Sequence, residues 1–288
     1  MKKTFSSKKS AFSLIELSIV LIIIGLLILG ITVGASLIKN SELRSVMGES
    51  RGYAVAVNGF YSQYAYLPGD YATAIAGAIA PSASNAAYGT SAASAQNGKI
   101  EYYTNSVETY LSESVAAWDQ LIKTGTVDST LNLTKLLVTT DQVAGTNMPS
   151  SKIKNAGWHF DYRTNVGIAG TDYTSTINEG TAAAPAYQNV VVLTGKTTAA
   201  SSTASNAIAN TLVNGANLSA AALTGSDALA IDTKIDDANS NSGKVRGINP
   251  GGIDGTCYTA SAIANQPYVV SSSTSKTCAI SFQVDVNS

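Results

Sequence analysis

A single carboxylate, Glu16, lies inside the most apolar stretch of this 288-residue chain. Residues 11–38 read AFSLIELSIVLIIIGLLILGITVGASLI, and Glu16 is the one ionisable side chain among them. An ionised group at the centre of a bilayer costs about 2.5–3.5 kcal/mol on insertion scales, so acids in such segments usually have a function. The chemistry open to Glu16 is ion pairing with an amine, either within its own chain at helical spacing or on another chain.

A second candidate site is a group of oxygen-bearing side chains late in the chain, formed by Asp232, Asp236, Asp237, Asn239 and Asn241. The spacing Asp237-x-Asn239-x-Asn241 is typical of the start of a calcium loop, in which carboxylate and amide oxygens are the ligands. However, Gly243 comes one residue late for that loop, and no Glu occupies its twelfth position. A helix end followed by an Asn/Ser-rich turn, with side chains bonded to the local backbone, is the alternative.

Residues Gly48-Glu-Ser50-Arg-Gly52 match the nucleophile elbow of hydrolases. That elbow requires a strand before the serine and a helix after it, whereas this pattern falls inside a predicted helix. The one histidine of the chain, His159, lies in a predicted strand, where we expect a structural role. The sequence therefore predicts no catalytic residues, and we expect the chain not to be an enzyme.

The apolar run is long enough to cross a membrane once. Leu17 to Ile38 is a run of 22 residues, and about 20 suffice for a hydrocarbon core of ~30 Å. Four lysines precede the run within residues 1–11, and only Lys39 and Arg44 follow it within ten residues. The positive-inside rule therefore places the leader in the cytoplasm and everything after Ile38 outside.

The two cysteines, Cys257 and Cys278, lie in the external part. An even number of cysteines on the oxidising side of the membrane predicts a disulfide between two late strands. Such a bridge would close a loop of about 20 residues and contribute ~3 kcal/mol in the chain-entropy model. A pair of free buried thiols is the alternative.

The sequence Ala-Phe-Ser-Leu-Ile-Glu-Leu at 11–17, behind its basic leader, resembles the processing and methylation motif of type IV prepilins and of type II secretion pseudopilins. The resemblance implies that a peptidase cuts between Ala11 and Phe12 and that the new amine of Phe12 is methylated. It also implies that Glu16 helps to assemble a filament by pairing with the amine of a neighbouring subunit. Two positions depart from the usual pattern: Ala11 replaces Gly before the cut, and Val33 stands where many major pilins have a helix-kinking proline.

Two simpler interpretations of this segment remain open. A conventional signal peptide is cut after its apolar core, and Val33-Gly34-Ala35 loosely fits such a site. A plain signal anchor on an unrelated periplasmic protein would have a similar hydropathy. The mature N-terminus distinguishes the three, because only the prepilin-like route leaves Phe12 first.

Helical spacing continues beyond the membrane to about Ala65, with Glu42, Arg44, Glu49 and Arg51 on the polar face. The Pro and Gly of residues 67–70 (Leu-Pro-Gly-Asp) end this helix, which would be ~80 Å long at 1.5 Å per residue. The predicted organisation is a leader (1–11), a transmembrane and polymerisation helix (12–38), the amphipathic half of that helix (39–65) and an external globular head (66–288).

The head is large enough for a single core of short helices and strands. Helices are predicted at 106–124, ending at Gly125, and at 223–237, with Thr224 or Ser226 as cap and Leu229, Ile231 and Ile235 as apolar face. Residues 72–98 are predicted to form a loop. Strands are predicted by composition at 158–162, 190–193, 244–248, 268–271 and 279–286. The expected fold class is α+β and type IV pilin-like, with the long helix packed on a small antiparallel sheet.

Composition is typical of an exported structural protein. Charged residues make up 13% of the chain, against about 25% in an average globular protein. Removing the four leader lysines from 18 basic residues leaves 14 against 19 acidic ones, a net charge of −5. The external part has no basic cluster, so we expect no nucleic-acid partner.

Taken together, these features predict a structural subunit, either a pilin, a minor pilin or a pseudopilin, that assembles through its N-terminal helix into a type IV pilus or a type II secretion pseudopilus. Its expected partners are like subunits, the prepilin peptidase and methylase, and the inner-membrane assembly platform. The expected location is the inner membrane, crossed once with the head in the periplasm, and then the filament. Apart from calcium, no cofactor is expected. The competing class is a non-polymerising, membrane-anchored periplasmic or surface protein with a binding or adhesion function.

Overall fold

A computed structural model describes eleven parts of the chain: residues 13–70, 98–100, 113–128, 131, 144–145, 148–163, 188–195, 221–249, 256–258, 267–271 and 274–284. The chain divides into two compact units, residues 1–43 and residues 44–288, and each is described by itself. The predictions for residues 72–97, 106–112 and 285–286 lie outside the described residues.

The longest element is helix α1, which runs from Leu14 to Tyr64. It ends one residue before the predicted position, because Ala65 has a positive φ of 60° and Pro68 follows shortly after. In the second unit the helix is amphipathic, as its spacing predicts. Its buried apolar positions recur at helical intervals: Val46, Met47, Ala56, Val57 and Phe60.

Four strands form one antiparallel sheet, in the order β1-β2-β4-β3. They are β1 (Ala156–Arg163), β2 (Gln188–Gly195), β3 (Val245–Ile248) and β4 (Ala279–Gln283). The α+β class with a small antiparallel sheet is therefore confirmed. The predicted strand at 268–271 is wrong. Tyr268 makes only an isolated bridge to Tyr258, and its hydroxyl group instead donates to a buried carboxylate, that of Asp232.

Two short helices complete the described part of the fold, α2 (Glu113–Lys123) and α3 (Gly225–Ile235). Gly125 follows α2 with a φ of +70°, as expected of a residue that stops a helix. Thr224 caps α3, and its side chain accepts a hydrogen bond from the N–H of Asp227 at 3.2 Å.

The predicted apolar face of α3 is only partly correct. Ile231 is buried, but Leu229 and Ile235 are half-buried. The buried face consists of Gly225, Ala228, Ile231 and Asp232. The pattern of apolar residues does not predict that Asp232 lies on this face, because Asp232 is buried against a partner elsewhere in the chain, Tyr268.

An aromatic cluster joins α1, α2 and β1 within the second unit. The ring of Tyr53 on α1 meets Trp118 on α2 edge-on, with centroids 4.8 Å apart, and Trp158 on β1 at 5.5 Å. Trp118 lies 4.2 Å from Phe160 of β1. Edge-on aromatic pairs contribute about 0.5–1.5 kcal/mol beyond their buried area. This cluster therefore fixes both helices against one face of the sheet.

Gly69 is the tightest point in the turn after α1, and we expect Gly69→Ala to destabilise the protein by about 2–4 kcal/mol. Its φ is +87°, and a Cβ there would collide with the backbone carbonyl of Glu113 on α2. Gly125→Ala is the matched control, because Gly125 also has a positive φ but has open space around it. That variant should lose only the strain energy, about 1–2 kcal/mol. Equal losses for the two variants in urea unfolding would contradict the proposed collision.

Candidate functional site

The N-terminal end of α1 is closed by a capping interaction between Ser13 and Glu16. The backbone N–H of Ser13 donates to Oε2 of Glu16 at 2.8 Å, and the N–H of Ile15 donates to Oγ of Ser13 at 3.4 Å. Ser-x-x-Glu at a helix start is the sequence signature of a capping box. The carboxylate also lies where the helix dipole favours negative charge. Glu16 thus has a partner within its own chain, one that sequence reasoning missed although the signature was present.

The anchor half of α1, Leu14 to Ile38, presents an unusually large apolar surface. Seventeen of its large apolar side chains are between 46% and 87% exposed. By length and composition α1 could cross a membrane, although no membrane is part of the structure. Because a monomeric soluble protein rarely exposes an apolar patch beyond a few hundred Å², this surface requires lipid or protein to cover it.

Residues 6–32 match the family model of the prokaryotic N-terminal methylation motif. The chain carries the signal motif of type IV pilins and pseudopilins. The match includes Ala11, Phe12 and Glu16, and it fits a prepilin-like precursor anchored in the inner membrane. The cleavage site itself stays a prediction, because Ala11 and Phe12 lie outside the described residues.

The prepilin motif is confined to the N-terminal part of the chain, residues 6–32. Neither the curated proteins nor the solved structures include one that matches this chain.

Glu49 joins the second half of α1 to the sheet. Its Oε2 accepts hydrogen bonds from Nε1 of Trp158 at 2.8 Å and from Oγ of Ser151 at 3.0 Å, and its Oε1 accepts one from the N–H of Lys152 at 3.2 Å. Hydrogen bonds to a charged acceptor are roughly twice as strong as neutral ones. The sequence placed Glu49 on the exposed polar face, but in the structure it is half-buried and bonded. Burial, and then the charge of Glu49, raises the pKa of Tyr53 well above its usual value.

The hydrolase-like pattern lies in the middle of α1, so no strand precedes Ser50 and the elbow geometry is absent. Ser50 is buried and donates to the carbonyl of Met47 at 3.1 Å within the helix. His159 lies in β1, as predicted, and is also buried. Burial lowers the pKa of His159 to about 3, so its ring is neutral at neutral pH.

The predicted calcium ligands Asp232, Asp236 and Asp237 come together at the end of α3, and we call them the acidic group. One carboxylate oxygen of each lies within 4.8 Å of those of the others. Burial, with smaller contributions from the charges of Asp237 and Asp236, raises the pKa of Asp232 to about 7, although hydrogen bonds from Tyr268 and the backbone of Ala238 offset part of the rise. The backbone N–H of Asn239 donates to Asp237, while coordination by the Asn239 and Asn241 amides stays a prediction.

Cys257 and Cys278 are joined by a disulfide. Cys278 directly precedes β4, whereas Cys257 lies outside the named strands. The bridge therefore ties the sheet to a neighbouring loop, and not two strands to each other as expected.

We expect Glu49→Ala to lower the free energy of unfolding by about 2–4 kcal/mol, because the indole N–H of buried Trp158 loses its acceptor. Glu49→Gln should lose less, since its amide oxygen can still accept. Glu42→Ala, at an exposed position of the same helix, should change stability by less than about 0.5 kcal/mol. Chemical denaturation followed by tryptophan fluorescence measures all three. A Glu49→Ala loss no larger than that of the control would refute the role of Glu49.

The neutral ring of His159 predicts acid sensitivity. In the unfolded chain His159 binds a proton below its usual pKa of about 6.5, whereas in the folded chain it does so only below about pH 3. As the pH decreases from 6.5 to 3, the free energy of unfolding therefore decreases by about 1.4 kcal/mol per pH unit. We expect wild type to lose more stability than His159→Gln between pH 6.5 and 5, in paired denaturation curves at each pH. Parallel pH profiles would show that the ring is not buried in its neutral form.

Proposed function

We propose that the chain is a structural subunit that polymerises through the anchor half of α1 into a type IV pilus or a type II secretion pseudopilus. The single observation that supports this most is the match to the methylation motif at residues 6–32, on an apolar segment, residues 11–38, in which Glu16 is the one acid. In this proposal the leader stays cytoplasmic, the prepilin peptidase cuts before Phe12 and methylates the new amine, and the head lies in the periplasm.

Exposed apolar surface supports polymerisation through the helix. Side chains of the anchor half that contact lipid before assembly would contact the same helix of neighbouring subunits afterwards, so they stay out of water throughout. Gly30 and Gly34 have the small-xxx-small spacing that allows close helix approach. Apart from the backbone of its own helix, a Cβ at either position would meet no atom of the described residues within 4 Å, so both positions have room for a neighbouring helix.

Glu16 changes partner in this proposal. In the single chain its carboxylate accepts the N–H of Ser13 at 2.8 Å. In the filament it would pair with the amine of Phe12 on the next subunit, and only one axial stagger brings the two charges together. An ion pair out of water is much stronger than in water, because the dielectric constant is low. The carboxylate would therefore set the register between subunits.

Substitutions at Glu16 separate the capping role from the ion-pairing role. Glu16→Gln keeps a side-chain acceptor for the Ser13 N–H but has no charge, whereas Glu16→Ala has neither. We expect both variants to reach the membrane and both to fail to form filaments. Sheared fractions, examined by electron microscopy with an antibody to the head, measure assembly.

Ser18→Ala is the control, because Ser18 is another polar residue of the segment and its hydroxyl group donates to the carbonyl of Ile15 in its own helix; it should assemble. Filaments from Glu16→Gln would show that capping suffices and that the charge does not set register. Mass spectrometry of wild type should give methylated Phe12 as the first residue. A membrane-anchored protein that never polymerises would give no filaments from any variant, wild type included.

A further inference from the structure

Three exposed lysines meet at one end of the sheet, and we call them the lysine patch: Lys152, Lys154 and Lys276. The amine of Lys276 donates to the backbone carbonyl of Lys154 at 3.0 Å, although the two residues are 122 positions apart. Neither Lys152 nor Lys154 forms an ion pair with a carboxylate of the described residues. The sequence shows no such cluster, because the fold assembles it from two distant segments.

The strand order explains why these two segments meet. Lys152 and Lys154 come shortly before β1, and Lys276 comes shortly before β4. Both strands are antiparallel to β2, which lies between them, so they run in the same direction and begin at the same end of the sheet. Strands on either side of a third are about 10 Å apart, and the side chain of Lys276 reaches across to Lys154.

A tight turn holds Lys152 and Lys154 at the surface. The N–H of Ala156 donates to the carbonyl of Ile153 at 3.2 Å, and the N–H of Ser151 donates to the carbonyl of Ala156 at 3.0 Å. Ile153 is buried between the two exposed lysines, so its side chain fixes the turn against the rest of the second unit. The backbone that carries these two lysines therefore has a defined place on the surface.

The lysine patch lies where α1 enters the second unit. Oε1 of Glu49 accepts hydrogen bonds from the N–H of Lys152 at 3.2 Å and from the hydroxyl group of Ser45 at 3.4 Å. Lys152 is therefore next to Ser45, and the second unit begins at Arg44. Ser45 is the seventh residue after Ile38, where the apolar run ends, and seven residues of helix span about 10 Å. Lys152 is thus tied to α1 close to the predicted membrane segment.

We propose that the lysine patch binds the anionic phosphate groups of the membrane lipids around the anchor. The headgroup layer extends about 5–7 Å beyond the hydrocarbon core, which leaves roughly 5 Å or less along α1 between this layer and Ser45. That gap is shorter than the Debye length, ~8 Å at physiological ionic strength, so salt screens the attraction only in part. The inference rests on the membrane anchoring in the proposed function, but not on polymerisation.

Anionic lipid is favoured over an acidic protein surface as the partner, because the anchor already holds the lysine patch beside the lipid. Attachment makes this contact intramolecular, so that even a weak attraction is effective. Each basic residue near an anionic lipid surface favours the bound state by about fivefold, and the flexible stem of a lysine lets its amine follow mobile headgroups. Binding at this end of the sheet would limit the orientations that the second unit takes on the membrane.

The test uses the full chain in nanodiscs, one chain per disc, made of phosphatidylcholine alone or with phosphatidylglycerol replacing part of it. An uncharged acetylating reagent labels the lysines, and mass spectrometry quantifies each one. The lysines of the patch should react about fivefold more slowly in the anionic discs. The difference should disappear at about 1 M salt, where the Debye length is ~3 Å.

Lys244 is the control within the same sample. It is exposed and directly precedes β3. Because β3 is antiparallel to β4, Lys244 lies at the opposite end of the sheet from the lysine patch. It should react equally fast in the two kinds of disc.

Tryptophan fluorescence gives an independent measurement. Trp158 shares the acceptor Glu49 with Lys152, so it lies close to the lysine patch. Nitroxide-labelled lipid headgroups should quench the fluorescence more in anionic than in neutral discs. Lys244→Gln should keep this difference, whereas a triple variant of the patch should lose it. The triple variant carries Lys152→Gln, Lys154→Gln and Lys276→Gln.

Three results would each overturn the proposal: equal reactivity of the patch lysines in the two kinds of disc, an equal slowing at Lys244, or undiminished quenching in the triple variant. Protection that arises only when a disc holds two chains would also overturn it, in favour of a second copy as the partner. If the triple variant does not fold, the labelling of wild type decides. No step involves filaments, so these results leave the proposal of polymerisation to its own test at Glu16.

Discussion

The exposed apolar surface of the anchor half of α1 has to be removed from water, and this need is the main physical constraint on the chain. Seventeen large apolar side chains lie exposed there, and full burial of each is worth about 1.5–3 kcal/mol. The total is on the order of tens of kcal/mol, which exceeds the whole folding stability of a typical domain, about 5–15 kcal/mol. No arrangement that leaves this surface in water can therefore persist. Lipid and other copies of the same helix are the two covers that match its length and uniform apolarity.

Glu16 is the one ionisable group of this segment, and its available partners differ between lipid and packed helices. In the single chain its carboxylate accepts a hydrogen bond from the N–H of Ser13, and this local partner would also be available in a bilayer. Among packed helices it could instead meet a charged amine, which is a stronger partner at low dielectric. The local hydrogen bond would lower the cost of placing the acid in lipid before assembly. The difference between the two partners would then favour the assembled state over the dispersed one.

Sequence reasoning succeeded where the signal is local. The anchor half is a continuous apolar run, α3 begins at a threonine cap, and α2 stops before a glycine with positive φ. Sequence reasoning failed for contacts between residues that are far apart in the chain. Helical spacing assigns Glu49 to the polar face of α1 but does not indicate its bond to Trp158, which lies 109 residues away. The buried carboxylate of Asp232 accepts a hydrogen bond from Tyr268, 36 residues further along the chain. Tyr268 belongs to the segment 268–271, for which the predicted strand is wrong.

The sheet offers a reason why self-association would use the helix. Open edge strands pair readily with other chains, but the edge N–H groups described here have acceptors. On β1 the N–H of Trp158 donates to the carbonyl of Pro149. The N–H of Phe160 donates to the hydroxyl group of Ser114, and that of Tyr162 to the carboxylate of Asp161. On β3 the N–H of Gly247 bonds to the Ser240 carbonyl, and that of Val245 to Asp236. Strand addition would have to break these bonds first, whereas packing of α1 against another helix would leave the bonds at the sheet edges intact. In a filament that crowds many heads together, closed edges would keep the heads from pairing through their sheets and leave α1 to determine the assembly.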